Sequence, residues 1–146
     1  MRRLLPIVSA LICVCRTSTA TAGGADLIAK GIYLSKTSIE NTTIIPAVLG
    51  IRFGVTFRVN ASAGASFPRS TVTTVIWRFP AAGLSDPGTK LTSHVDTHEV
   101  RCTRESRCST VWTFDHPWEL VPGVWEVEIL VDGRTVIKQS FTVVEP

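Results

Sequence analysis

The chain has 146 residues and a formal charge of +3, from 15 Lys and Arg against 12 Asp and Glu. Three of the bases, Arg2, Arg3 and Arg16, lie in the first 22 residues, which hold no acid, and from residue 23 onward the charges balance. That balance argues against a nucleic-acid binder, which presents a basic face, and against a polybasic membrane-surface protein.

Residues 1–22 read as a secretory signal peptide. Met1-Arg2-Arg3 is the positive start, residues 4–15 form a mostly apolar run, and Ala20-Thr21-Ala22 has the small-x-small cleavage pattern. The expected mature chain is residues 23–146. The apolar run is too short for a membrane span, which needs about 20 residues. Cys13 and Cys15 follow Ile12 and Val14, where lipoprotein processing favours Gly, Ala or Ser. No later apolar run approaches span length, so no membrane crossing is expected after cleavage. The remainder suits one domain with an ordinary core.

The rest of the chain alternates with period 2, as half-buried strands do. A weak strand is expected near residues 27–35. Phe53, Val55, Phe57 and Val59 then alternate with Arg52, Gly54, Thr56 and Arg58. Val75, Trp77 and Phe79 follow a loop at residues 60–68. Another weak strand is expected over residues 91–101. Trp112 and Phe114, then Trp125, Val127, Ile129 and Val131, then Ile137, Phe141 and Val143 complete the series. Gly, Pro, Asn and Asp punctuate the intervals and supply turn chemistry. Helical periodicity is absent, although a short helical turn within residues 44–49 or 81–84 is compatible with the pattern. About seven strands at this spacing predict an all-β fold, an antiparallel immunoglobulin-like β-sandwich. A small barrel is the rival.

Only Cys102 and Cys108 would survive cleavage. Two thiols six positions apart in an oxidising compartment usually pair. They bracket a polar run that reads as a hairpin tip, and closing so short a loop is worth about 2 kcal/mol in chain entropy. A zinc site would want four ligands, and a redox site more often shows Cys-x-x-Cys.

The final hairpin carries a register problem. A plain two-residue turn at Asp132-Gly133 would set Lys138 opposite Val127 and Ser140 opposite Trp125. A one-residue shift restores the match. Ile137, Gln139 and Phe141 then join the face of Trp125, Val127 and Ile129, and Lys138 joins Glu126 and Glu128. A three-residue loop, or a bulge with Gly at positive φ, is therefore expected. Trp77, Trp112 and Trp125 are expected in the core. Trp118 sits in a loop and is a candidate for partner contact.

The run Glu119-Leu120-Val121-Pro122-Gly123-Val124-Trp125 resembles an uncharacterised family of short secreted bacterial domains. The resemblance extends to Ile45-Pro46-Ala47, to residues 50–55, to Trp112-Thr113-Phe114, to Asp132-Gly133-Arg134 and to residues 139–143. It implies a bacterial source and a periplasmic address. It implies no activity and transfers no catalytic residue.

Candidates for chemistry are few. His94, Asp96 and His98 would share one strand face, with the two histidines about 13 Å apart. Ligands of one zinc each lie about 2 Å from it, so this trio is a weak metal candidate and a solvated face is expected. Asp115, His116 and Glu119 crowd one loop, where a His beside carboxylates can act as a general base. A turn cap is the plainer account. Serine-elbow, dinucleotide, phosphate-loop and calcium-loop motifs are lacking, and no cofactor is implied. Arg101, Arg104 and Arg107 gather near the hairpin tip. They are suited to a carboxylate, a lipid headgroup or an anionic polysaccharide, or simply to keeping an edge soluble.

The expectation is therefore an exported, non-enzymatic β-sandwich that binds a protein or cell-envelope component through its loops. One alternative is a periplasmic hydrolase using His116 with Asp115 or Glu119. Another is a structural periplasmic protein without a dedicated ligand.

Overall fold

The computed structural model describes residues 24–60, 70–103 and 105–146. The expected signal peptide, the loop at 61–69 and Arg104 lie outside the described residues. Seven long strands carry the fold: β1 (Ala25–Tyr33), β4 (Arg52–Val59), β5 (Ser70–Arg78), β8 (Val95–Thr103), β9 (Arg107–Thr113), β10 (Gly123–Val131) and β11 (Arg134–Val144). Four short strands join them: β2 (Ile39–Glu40), β3 (Ile44–Pro46), β6 (Leu84–Asp86) and β7 (Leu91–Ser93). The expected β-sandwich is present, with its seven strands recognisable as the long ones. The segments open to a helical turn are instead β3 and the approach to β6. Among the described residues the helical turn is a 3-10 turn at Pro117–Glu119.

One sheet has the order β2-β1-β4-β9 and the other β3-β11-β10-β5-β8, with β6-β7 as a separate ribbon. Pairing is antiparallel except at one edge, where β3 runs parallel to β11. The chain leaves the first sheet after β2 and joins the second at β3.

The core forms because each long strand turns its apolar alternates inward. Phe53, Val55, Phe57 and Val59 meet Val75, Trp77, Trp125, Val127, Ile129, Ile137, Phe141 and Val143, all of them buried. Phe53 has no exposed surface. Its ring lies 5.6 Å from Trp77, 5.7 Å from Trp125, 5.4 Å from Phe141 and 5.2 Å from Phe114. Three of these contacts are edge-to-face, the arrangement favoured by ring quadrupoles. The indole N–H of Trp125 donates to the Val121 carbonyl at 2.9 Å, and that of Trp77 to Thr110 Oγ1 at 3.4 Å.

The last hairpin keeps the two-residue turn and restores its register with a bulge, not with the three-residue loop. Asp132 (φ 51°) and Gly133 (φ 73°) make a tight two-residue turn, as Asp-Gly favours. Val131 faces Arg134 and Leu130 faces Thr135, but Ile129 faces Ile137, leaving Val136 as a bulge. From there Val127 faces Gln139 and Trp125 faces Phe141. The bulge sits inside the strand because the turn itself is already the tightest the dipeptide permits. Lys138 thus reaches the outer face, 3.6 Å from Glu126.

Cys102 and Cys108 form the expected disulfide, with Cα atoms 5.8 Å apart. The bridge joins the end of β8 to the start of β9. These strands edge different sheets and do not pair, so the two cysteines do not close a hairpin as expected: the bridge ties one layer of the sandwich to the other.

On the outer face of the second sheet, Arg78 lies 3.6 Å from Glu126 and pairs with Glu128. The Thr135 hydroxyl also donates to Glu128. Thr135 and then Arg78 hold the Glu128 carboxyl below the ordinary carboxylate range. Because the folded-state pKa is depressed, the stabilisation is complete above the unfolded value, about 4.3, and is lost as pH falls through the folded value. Glu128→Gln is expected to cost about 1 kcal/mol or less at pH 7, as exposed pairs do, and to flatten the fall in stability below pH about 4.3. Urea denaturation at pH 7 and pH 3 checks both. Phe53→Ala removes the ring shared by both sheets and is expected to cost about 3–5 kcal/mol in the same assay.

Candidate functional site

The richest group of side chains lies where the sandwich opens between β8 and β9. Both are edge strands, on the same side of the molecule and in different layers. Along β8 the inward alternates are Asp96, His98, Val100 and Cys102, opposite Trp77, Val75, Thr73 and Thr71 of β5. The lower half is apolar and closes the core. The upper half is polar and leaves a gap against β9, consistent with an edge that discourages further pairing.

A cleft of about 210 Å³ occupies this gap, lined by Phe79, Leu84, Val95, Asp96, Trp112 and Trp118, with Ser93 and Glu119. Trp118 is carried by the 3-10 turn. Pro117 opens that turn, and buried Glu119 holds it: its Oε2 accepts the backbone N–H of Asp115 at 2.7 Å and of His116 at 2.6 Å. A carboxylate reaching back to amides at a helical start is the recurring capping geometry. The His116 ring stacks on Trp118, with centroids 5.4 Å apart and planes 7° from parallel. Trp118 is partly exposed, as expected of it, and packs against the core at the cleft rim. Trp112, expected in the core, is half-buried: its ring packs on Phe79, Trp77 and Trp125, and its outer side lines the cleft.

The remaining candidates are dispersed. His98 Nδ1 lies 3.1 Å from Asp96 Oδ2, with the side chains 44% and 46% exposed. His94 is apart from them, in the bend between β7 and β8, with its ring beside Gly83. Among the described residues no three His, Cys, Asp or Glu side chains converge as a metal set would. Asp115 and His116 are exposed, and the carboxylate nearest them, Glu119, is committed to backbone amides. Glu119 is therefore not free to orient His116.

The arginine cluster of the hairpin is divided by the strands that carry it. Arg101 faces outward from β8, opposite Val72, with Nη1 3.4 Å from Ser70 Oγ. Arg107 faces outward from β9, opposite Arg58. The two therefore lie on opposite outer faces of the sandwich, and Arg104 falls outside the described residues. Proximity in sequence suggested a patch; alternation through two layers separates it. Sequence reasoning missed the cleft, because Phe79, Leu84 and Trp112 belong to strands that meet only in the folded protein.

A two-layer sheet of this order, with aromatic packing between layers and an added strand parallel to the last one, defines an immunoglobulin-like protein. It is similar to an immunoglobulin-like protein from Pseudomonas aeruginosa, with TM-score 0.61, 24% identity, and coverage of 84% of this chain and 94% of that one. An alkylpurine DNA glycosylase of Pseudomonas fluorescens bound to DNA overlaps far less well, with TM-score 0.39, 14% identity, and coverage of 83% of this chain and 30% of that one. No curated protein sequence matches the chain. The chain belongs to the family described as a domain of unknown function, DUF3859, matched over residues 12–143.

Glu119→Ala strips the acceptor from two amides and is expected to cost about 2–3 kcal/mol. Glu119→Gln, which keeps one carbonyl acceptor, should cost less. Chemical denaturation gives the costs, and a red shift of tryptophan emission in Glu119→Ala would report release of Trp118.

Proposed function

We propose that the chain is an exported, non-enzymatic immunoglobulin-like module that binds a protein or cell-envelope component through its loops. One observation carries this reading: the cleft between β8 and β9, where Trp118, Trp112 and Phe79 present apolar surface beside Asp96. Clefts that are mainly apolar with a few placed polar groups are the usual form of a binding site. Trp118 is held at its rim by a loop whose amides at Asp115, His116, Glu119 and Leu120 are hydrogen-bonded, so the side chain is pre-positioned at low entropic cost.

Three features support export. The disulfide needs an oxidising compartment to persist. The first 22 residues have the layout of a signal peptide. Immunoglobulin-like sandwiches are frequent in proteins that act outside the cytoplasm. The non-enzymatic part of the reading rests on the commitment of Glu119 to backbone amides rather than to His116.

Expression with the native N-terminus in a bacterial host should yield periplasmic protein beginning at Gly23, with neither thiol alkylated unless reductant is added. Immobilised on a support, this protein should retain an envelope component that the Trp118→Ala or Arg104→Ala variant loses. Cytoplasmic protein with two labelled thiols would sink the export reading. Turnover of a generic ester or peptide, without a retained partner, would reverse the non-enzymatic one.

A further inference from the structure

The outer face of the β1-β4-β9 sheet carries a charge arrangement that works against folding. Arg58 of β4 stands directly opposite Arg107 of β9. Directly opposed residues in an antiparallel pair have Cβ atoms about 5 Å apart, and like charges there are destabilising. Among the described residues neither arginine has an ion pair. On the other side of Arg58 stands Asp26 of β1, but its Oδ2 accepts the Asn60 amide N–H at 2.7 Å. The Arg58 Nε–H is buried and has no acceptor. Residues 61–69, which follow β4, include Arg69 and no acid. Two directly opposed guanidinium groups without ion pairs are the environment an anion would satisfy.

The surrounding floor indicates which anion. Arg52 lies on the same face of β4, six residues away, about 20 Å along an extended strand. Between the two cationic ends lie Gly54, Thr56, Ser109 and Val111. Thr56 Oγ1 is hydrogen-bonded to the Tyr33 hydroxyl at 2.6 Å and to Ser109 Oγ at 2.8 Å. Burial raises the Tyr33 phenol pKa, so it stays neutral and bonded in this chain. Of the large exposed apolar residues, Leu27 alone belongs to β1, β4 or β9, and it pairs with the inward-facing Phe57. Protein interfaces are centred on apolar or aromatic anchors, whereas the aromatic on this face, Tyr33, is already buried with its hydroxyl held by Thr56. Thr56 is buried with its hydroxyl spent on Tyr33 and Ser109, so the strip exposes Ser109 between guanidinium groups at both ends, which suits a linear chain carrying spaced carboxylates.

We propose that this face binds an acidic polysaccharide, with Arg58 and Arg107 jointly holding one carboxylate and Arg52 another further along the strand. The site is separate from the Trp118 cleft. The test is titration of polygalacturonate, a linear polyuronate, into the disulfide-bonded protein, with dextran and polyglutamate as neutral and polypeptide counterparts. Polygalacturonate is expected to bind best, more weakly as salt rises. Arg58→Gln and Arg107→Gln should each weaken it about tenfold or more, as loss of a charge-assisted hydrogen bond does. Arg58→Lys should weaken it too, since the planar fork is lost. Arg101→Gln, on the opposite face, and Trp118→Ala, in the cleft, should leave it unchanged. Arg58→Gln should melt no lower than the parent, because it removes the repulsion. Equal binding of dextran would overturn the proposal, and so would equal or tighter binding of polyglutamate. Parent-like affinity in both glutamine variants, or no binding at all, would do the same.

Discussion

The contact on which the rest of the structure depends is the insertion of Phe53 between the sheets. Its ring meets Trp77, Trp125 and Phe141 from three adjacent strands of the opposite layer. Phe114, just past β9, closes its own side. Large rings give each layer most of its buried area and make the angle between layers specific, because edge-to-face packing has few geometries. Among the described residues no α-helix covers the sheets, so these faces are buried against each other. The register of every strand follows, since a one-residue slip would put Phe53, Trp77 or Trp125 in water.

The edges of the sandwich then decide where the molecule meets other molecules. At the β8–β9 side the core is sealed at one end by the disulfide and left open at the other by Asp96 and His98. The polar residues that protect β8 as an edge also keep the two layers from closing there. The result is a cleft whose walls are core aromatics and whose rim is Trp118. Glu119 makes that rim rigid by holding the amides of Asp115 and His116. The same carboxylate that a sequence reading offers as a catalytic acid is thus consumed in shaping the loop.

The opposite layer behaves differently. Its outer face has few large side chains, and its glycines bring backbones close: a Cβ on Gly54 would stand 2.0 Å from the Thr110 carbonyl oxygen. On this face the arginines Arg58 and Arg107 stand opposed, a like-charge pairing that tends to destabilise a sheet. Such a conflict between local charge and the fold is expected at functional positions. The balanced charge of residues 23–146 hides this locality, because Arg78 and Lys138 are neutralised on one face while Arg58 and Arg107 are not on the other.

Much of the fold was legible in the sequence because period-2 alternation is a local property. Phe53 to Val59 and Trp125 to Val131 announce their buried faces without reference to any partner. The mismatch across Asp132-Gly133 announced a longer loop or a bulge, and the tight two-residue turn left only the bulge, at Val136. The spacing of Cys102 and Cys108 announced the bridge. What lay beyond reach was everything that depends on which strand lies beside which. Arg101 and Arg107 look like neighbours in the chain and face opposite ways, whereas Arg58 and Arg107, 49 positions apart, stand side by side. The walls of the Trp118 cleft come from four separate segments. By itself the sequence determined which side of each strand is buried, because alternation encodes burial. Only the tertiary structure decided which buried and exposed groups meet, because strand order and layering are set by long-range packing that no local pattern records.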